Sequence, residues 1–262
     1  MKTVDDITIS ETAYWAEARK PLSSLLFLIP WIVVYEFGVL VMGQGQPDFV
    51  RNGADFWMRS FLSRIGIGQT LLPVLVIAML LAWHLIQKYP WQVRMETQVG
   101  MFAESLLLAI VLVAFGQCHD LLFRTITTEP ESAATLLAVA GPVTRAVSFI
   151  GAGVYEEVMF RLLLVPAAFL GFRMFEFPVT WAAAMAAIST SFLFALAHHV
   201  GPSADAFNLF AFSFRAAAGL FFATVFLLRG FGITVGCHAA YDLLVGVLLA
   251  TPQNGSPDSF GQ

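Results

Sequence analysis

The stretch GVYEEVMFRLLL, residues 153 to 164, sets Glu156, Glu157 and Arg161 within one of the most apolar parts of the chain. On a helix Glu157 and Arg161 stand four residues apart with the acid on the N-terminal side. That order favours an ion pair, and in a low dielectric pairing relieves both charges. Glu156 lies about 100° around the helix from Glu157 and has no base of its own on that helix. It either pairs with a histidine or arginine of a neighbouring helix and fixes a bundle, or it is kept for chemistry. Two further places bear on that choice. In FLFALAHH, Phe194 and His198 share a helical face, and in GCHAAYD, His238 and Asp242 do so. One unpaired glutamate, two histidines and a further carboxyl, spread over three segments, make a set that can activate water, provided the segments converge. A lone histidine in an apolar helix is more often a packing residue. His199 points about 100° away from His198 and falls outside the set.

The elements that must position these groups are hydrophobic spans. Over 262 residues, 58% are hydrophobic and 12% charged, which marks an integral membrane protein. Apolar segments fall at about 21–43, 69–87, 97–118, 143–171, 178–199, 207–228 and 231–250, each long enough to cross the hydrocarbon core. An eighth, broken segment is conceivable within 121–142. The expected fold is therefore all-α, a polytopic membrane helix bundle of about 7 to 8 transmembrane helices. Its organisation reads as a polar interfacial segment over 1–20, a single transmembrane domain over 21–250 with the motifs inside 150–245, and a disordered polar tail over 251–262.

Thr8 and Glu11 have capping-box spacing, so a short interfacial helix is expected to end near Arg19 and Lys20, with Tyr14 and Trp15 at headgroup level. Residues 56–64, where Phe56, Trp57, Phe61 and Leu62 alternate with Arg59 and Arg64, have the pattern of an interfacial amphipathic helix or part of a re-entrant loop. Glu36, His84 and Glu104 stand isolated in spans, where a structural or interfacial role is expected. Gly232 and Gly236 form a GxxxG that permits close packing. Cys118 and Cys237 have no metal or redox spacing and read as small packing residues. The net charge of -4 and the scattered basic residues carry no electrostatic footprint for nucleic acid. The distribution of Lys and Arg weakly favours an amino terminus in the cytoplasm.

In their order along the chain, EExxxR (Glu156, Glu157, Arg161), FxxxH (Phe194, His198) and HxxxD (His238, Asp242) resemble the three motifs of the CPBP intramembrane proteases. That group comprises the type II CAAX prenyl endopeptidases and Abi-like, bacteriocin-immunity-related bacterial members. The resemblance covers about residues 100–250. It implies that Glu156, with His198, polarises a water for attack on a peptide bond, while His238 and Asp242 stabilise the oxyanion. Glu157, Arg161 and Phe194 would be structural or substrate-orienting. It also implies a bacterial inner-membrane location and a protein or peptide substrate, prenylated or not, met within membrane lipid. The family pattern allows asparagine at position 242, which could donate a hydrogen bond. The ionised Asp242 present here only accepts. It is held protonated, or orients His238, or helps hold a cation. Members of the group are commonly labelled metalloproteases, and Glu156, His198, His238 and Asp242 could together bind a divalent ion such as zinc. HExxH is absent, and the resemblance implies no obligatory metal.

Serine and aspartyl intramembrane protease signatures are absent from the sequence. Two rival functions remain: a transporter using the buried carboxylates and histidines as a proton relay, and a non-catalytic scaffold or immunity protein of the same fold. No paired halves with broken spans, as transporters built from repeats would show, are visible.

Overall fold

The structure, a computed structural model, describes residues 13–43, 50–126, 141–201 and 204–249. All of its regular elements are helical. Residues 13–18 form a short lead-in helix, followed by α1 (Pro21–Met42), α2 (Gly53–Arg64), a 3-10 turn (Gln69–Leu71) and α3 (Leu72–Ile86). Next come α4 (Met95–Ile126), α5 (Pro142–Glu157), a π-helical turn (Val158–Leu164), α6 (Val165–Met174), α7 (Val179–Ala197), α8 (Leu209–Arg229), α9 (Phe231–Leu243) and a closing π-helical turn (Leu244–Leu248). The capping box expected at Thr8 and Glu11, the broken segment at 127–140 and the tail at 251–262 lie outside the described residues.

Among the described residues, six helices are long and apolar enough to cross a membrane: Pro21–Met42, Gln69–Ile86, Met95–Phe123, Val179–Ala197, Leu209–Arg229 and Phe231–Leu248. The chain is a multi-pass membrane protein with an all-α bundle. The span expected over 143–171 is one helical path from Pro142 to Met174, but it is divided into α5, a π turn and α6. Pro166 explains the division. It has no N–H for the Leu162 carbonyl, and its ring crowds that carbonyl, so the backbone widens just upstream of it. The widened turn carries Arg161.

At the centre of the bundle is α9. Every residue from Phe231 to Ala239 is buried, and the helix packs on α1, α4, α5 and α8. Its small residues allow this. A Cβ on Gly236 would come 2.8 Å from the Phe27 ring of α1 and 2.9 Å from the Ser105 Cβ of α4. Ser24 Oγ accepts from the Gly232 N–H at 3.0 Å, and Ser105 Oγ donates to the Ile233 carbonyl at 3.2 Å. The GxxxG is thus a packing surface shared by three helices.

The lead-in helix is tied down by charge and ring contacts. Tyr14 donates to Glu104 at 2.6 Å, Glu104 accepts from Arg229 Nη2 at 2.7 Å, and the Arg229 guanidinium lies 3.5 Å from the Trp15 ring centre. Glu104, isolated in the sequence, therefore joins the lead-in helix, α4 and α8. His84 is fully buried, with Trp91 edge-on at 4.7 Å between ring centres.

The approach of α5 to α9 decides where the motif residues meet. A Cβ on Gly153 would stand 2.7 Å from both the backbone nitrogen and the Cβ of Ala239, the residue after His238. No relaxation of a flexible side chain can relieve a clash with backbone. Gly153→Val is expected to destabilise the protein by about 1–3 kcal/mol through overpacking. Thermal unfolding in detergent checks this, and an unchanged midpoint would mean that the two helices are not held at this distance.

Candidate active site

Three helical paths deliver the motif side chains to one place, and a fourth helix closes it. Glu156 and Glu157 end α5, Arg161 lies in the π turn, Phe194 and His198 stand at the end of α7, His238 and Asp242 lie on α9, and α8 closes the far side with Gly219 and Phe222. One Glu156 oxygen, Oε2, lies 3.9 Å from His198 Nε2 and also 3.9 Å from His238 Nε2. These separations are too long for direct hydrogen bonds. They still leave both imidazoles within reach of any group that Glu156 holds.

The orientation of each imidazole follows from its other nitrogen. His198 Nδ1 is 2.8 Å from the Phe194 carbonyl, which can only accept, so Nδ1 carries the proton and Nε2 faces Glu156. His238 Nδ1 is 2.7 Å from Glu157 Oε1, and an ionised carboxylate likewise makes it the donor. His238 Nε2 is then turned toward Glu156 and toward Asp242 Oδ2 at 3.5 Å. Asp242 is thereby placed beside His238. His199 turns away, with Nδ1 3.1 Å from the Asp205 carbonyl.

Glu157 has more to do than the sequence indicates. Its Oε1 is 3.1 Å from Arg161 Nη1, as the helical spacing predicts, but the same oxygen accepts from His238. Arg161 is 1% exposed and Glu157 0%. The guanidinium also donates to the Gly219 carbonyl at 3.0 Å and lies 4.6 Å and 5.4 Å from the Phe194 and Phe222 ring centres. Arg161, Glu157 and His238 therefore form a buried chain, an ion pair followed by a charge-assisted hydrogen bond, with aromatic rings against Arg161 and His238. Phe194 covers Arg161 and meets His198 and His238 edge-on at 4.9 Å and 6.1 Å, while Phe222 stacks on His238 at 4.5 Å.

A cleft of about 240 Å³ opens onto Glu156 and His198. Its lining includes Trp57 and Phe56 of α2, Met159 and Phe160 of the π turn, and Val200. The Glu156 and His198 side chains retain 13% and 25% of their exposure, so water reaches them, whereas Glu157 lies behind. Among the described residues, no group of three or more histidine, cysteine, aspartate or glutamate side chains is arranged to hold a metal ion.

Residues 138–244 match the family model described as type II CAAX prenyl endopeptidase, Rce1-like. Residues 138–244 form an Rce1-like domain. No curated protein and no solved structure gives a significant match to the chain. The Rce1-like match begins just before α5 and ends just after Asp242, so all three motifs lie inside it. It agrees with the resemblance carried by those motifs. Two contributors to the site escaped the sequence reading. Phe222 of the Rce1-like domain carries no signal beyond being one of 25 phenylalanines. Tyr155, beside Glu156, carries only the general signal that a tyrosine hydroxyl in an apolar helix needs a partner, which is Glu36.

Removing Arg161 would leave Glu157 buried against His238 alone. Arg161→Met is expected to cost about 3–5 kcal/mol. The double change Arg161→Met with Glu157→Leu, which leaves no uncompensated carboxylate, should recover a large part of it. Chemical denaturation in mixed micelles measures both, and equal losses in the two variants would show that the ion pair contributes little.

Proposed function

We propose that this protein is a membrane endopeptidase that hydrolyses a peptide bond with a water activated by Glu156 and His198, in CAAX-type or related processing near the carboxyl end of a protein or peptide substrate. The observation that carries the reading is the position of Glu156 Oε2, 3.9 Å from two imidazole nitrogens at the inner end of a water-accessible cleft. Glu156 takes a proton from water as the oxygen attacks the carbonyl carbon. His198, its tautomer set by the Phe194 carbonyl, directs Nε2 at the same water. As the carbon–nitrogen bond breaks, the proton passes to the leaving amine. His238 donates its Nδ1–H to Glu157, and in the doubly protonated form, flanked by Glu157 and Asp242, it also carries an Nε2–H that is the donor for the oxyanion.

Glu157 and Arg161 act on the ring position of His238 and do not touch the substrate. The reading extends to a multi-pass enzyme with a cytoplasmic amino terminus, whose substrate, prenylated or not, is met at the membrane surface.

Purified wild type, Glu156→Gln and His198→Ala, compared on a library of tagged carboxyl-terminal peptides in liposomes, test it. Each variant should lose about 10²–10⁴ in kcat/KM with a preserved thermal midpoint. Equal cleavage by all three sinks the mechanism. Proton-coupled flux without cleavage would put a transporter in its place. Loss of cleavage on prolonged chelation, restored by zinc, would require a metal step.

Asp242 gives a finer test. Asp242→Asn can still accept from His238 and should retain most activity, whereas Asp242→Ala should lower kcat about tenfold through one lost hydrogen bond. A fully active alanine variant would remove Asp242 from the mechanism.

A further inference from the structure

The amphipathic helix α2 differs from its sequence pattern in one respect. Arg59, one of the basic residues of the interfacial pattern, is 3% exposed and points into the protein. It is the hub of a second buried network. Its Nε donates to Asp55 Oδ1 at 2.5 Å, Nη2 to Glu36 Oε1 of α1 at 2.5 Å, and Nη1 to the Gln69 carbonyl at 2.7 Å. Glu36 Oε1 also accepts from the Tyr155 hydroxyl at 2.5 Å, and Asp55 Oδ2 accepts from Tyr35 at 2.8 Å and from Arg51 at 3.3 Å. The Tyr35 and Tyr155 rings lie 5.4 Å apart. The network therefore binds α2 to α1 and to α5 at the residue immediately before Glu156.

Buried ion networks are poor sources of stability compared with apolar packing, but they fix register and orientation where only one geometry satisfies every donor. What this one orients is a wall of the cleft. Gly53, Ala54, Phe56 and Trp57 of α2 face Glu156 and His198 across it. A Cβ on Gly201, in the turn after His198, would stand 3.3 Å from the Trp57 indole. Trp57 thus spans from α2 to the strand of chain that follows His198, and its position sets the width of the opening beside Glu156.

We propose that the Arg59 network is a brace that holds α2, through Trp57, as the fixed wall of the substrate cleft, making Glu36, Asp55 and Arg59 positioning residues and Trp57 a specificity-determining one. The proposal rests on the peptidase reading for its substrate, but its mechanical part does not. The helices carrying Glu156, His198 and His238 are held to one another by other contacts, so loosening the brace acts on how substrate is bound and leaves the bond-breaking step intact. An apolar substrate side chain beside the scissile bond is what Phe56, Trp57, Met159 and Phe160 would contact. A displaced Trp57 would let larger side chains in.

Arg59→Met alone takes the cationic partner from Glu36 and leaves Asp55 with Arg51 only, and could fail to fold. The triple variant Glu36→Gln, Asp55→Asn, Arg59→Met removes those charges together and is the working test, with Tyr155→Phe as the lightest cut and Trp57→Ala as the wall itself. The triple variant should raise KM for apolar peptides about tenfold with kcat within about twofold of wild type, and Arg59→Lys should not rescue it, because one ammonium cannot reproduce the three-way fork. Trp57→Ala should accept bulkier residues at the cleaved position.

A second readout needs no cleavage. Spin labels at Ser63→Cys on α2 and Thr180→Cys on α7, both exposed in the native chain, in a Cys118→Ser background, should give a narrow distance distribution that broadens in the triple variant. An unchanged distribution overturns the brace, as does a fall in kcat at constant KM. If the wild type cleaves nothing while the distances still broaden, the peptidase reading fails and the brace stands.

Discussion

The geometry of the site depends on a carboxylate that is not exposed to the cleft. Glu157 is fully buried, and its Oε1 is shared between Arg161 on the same helical path and His238 on another helix. A buried charge of this kind is tolerable only when every partner is in place. The three residues therefore have little freedom to separate, and each brings something with it. Arg161 reaches the Gly219 carbonyl and anchors α8, His238 carries Asp242 on the next turn of α9, and Glu157 fixes the azimuth of Glu156 beside it. The absence of a Cβ at Gly153 permits α5 and α9 to come near enough for that bond to form. Backbone approach and electrostatics are thus coupled at one crossing.

The same crossing separates two carboxylates of identical type by environment. Glu157 faces a guanidinium covered by Phe194 and an imidazole N–H whose ring stacks on Phe222, whereas Glu156 faces the cleft and has two imidazole nitrogens at 3.9 Å. Separation of roles by surroundings, with the chemical group unchanged, is a general means by which one pair of acids serves both structure and proton transfer. On the outer side of Glu156 the Arg59 network repeats the arrangement with different residues: a buried arginine, acids from two helices and tyrosine hydroxyls completing their acceptor capacity. The two networks flank the cleft and meet at Tyr155, Glu156 and Glu157.

Much of this was legible from residue order. The bundle follows from composition, because helices satisfy their own backbone groups in a medium without water. The Glu157 and Arg161 pair follows from 3.6-residue periodicity. The pair formed by Asp55 and Arg59 has the same spacing and polarity and is readable in the same way, whereas the aromatic-basic alternation of residues 56–64 indicates an interfacial helix or re-entrant loop and does not give the direction of Arg59. The partners of Glu36 and Glu104 were not legible. Their bonds run to residues 23 and 125 positions away, and no local pattern encodes such distances. The division of the 142–174 helix by a π turn has a visible cause in Pro166, though its extent depends on how the neighbouring helices accommodate the widened backbone.

By itself the sequence determined the membrane class, the helical faces, the intrahelical ion pair and the separation of Glu156 from it, because all of these depend on a residue's own neighbours along the chain. Only the tertiary structure decided that His238 turns Nδ1 to Glu157 and Nε2 toward Glu156, that Phe222 stacks on that ring, and that Arg59 points inward to join α2 to the motif helix. These are bonds and contacts between helices. Their existence depends on which small residues let backbones approach and on every buried charge finding its partner at once, a condition satisfied by the packed bundle as a whole and by no segment of it alone.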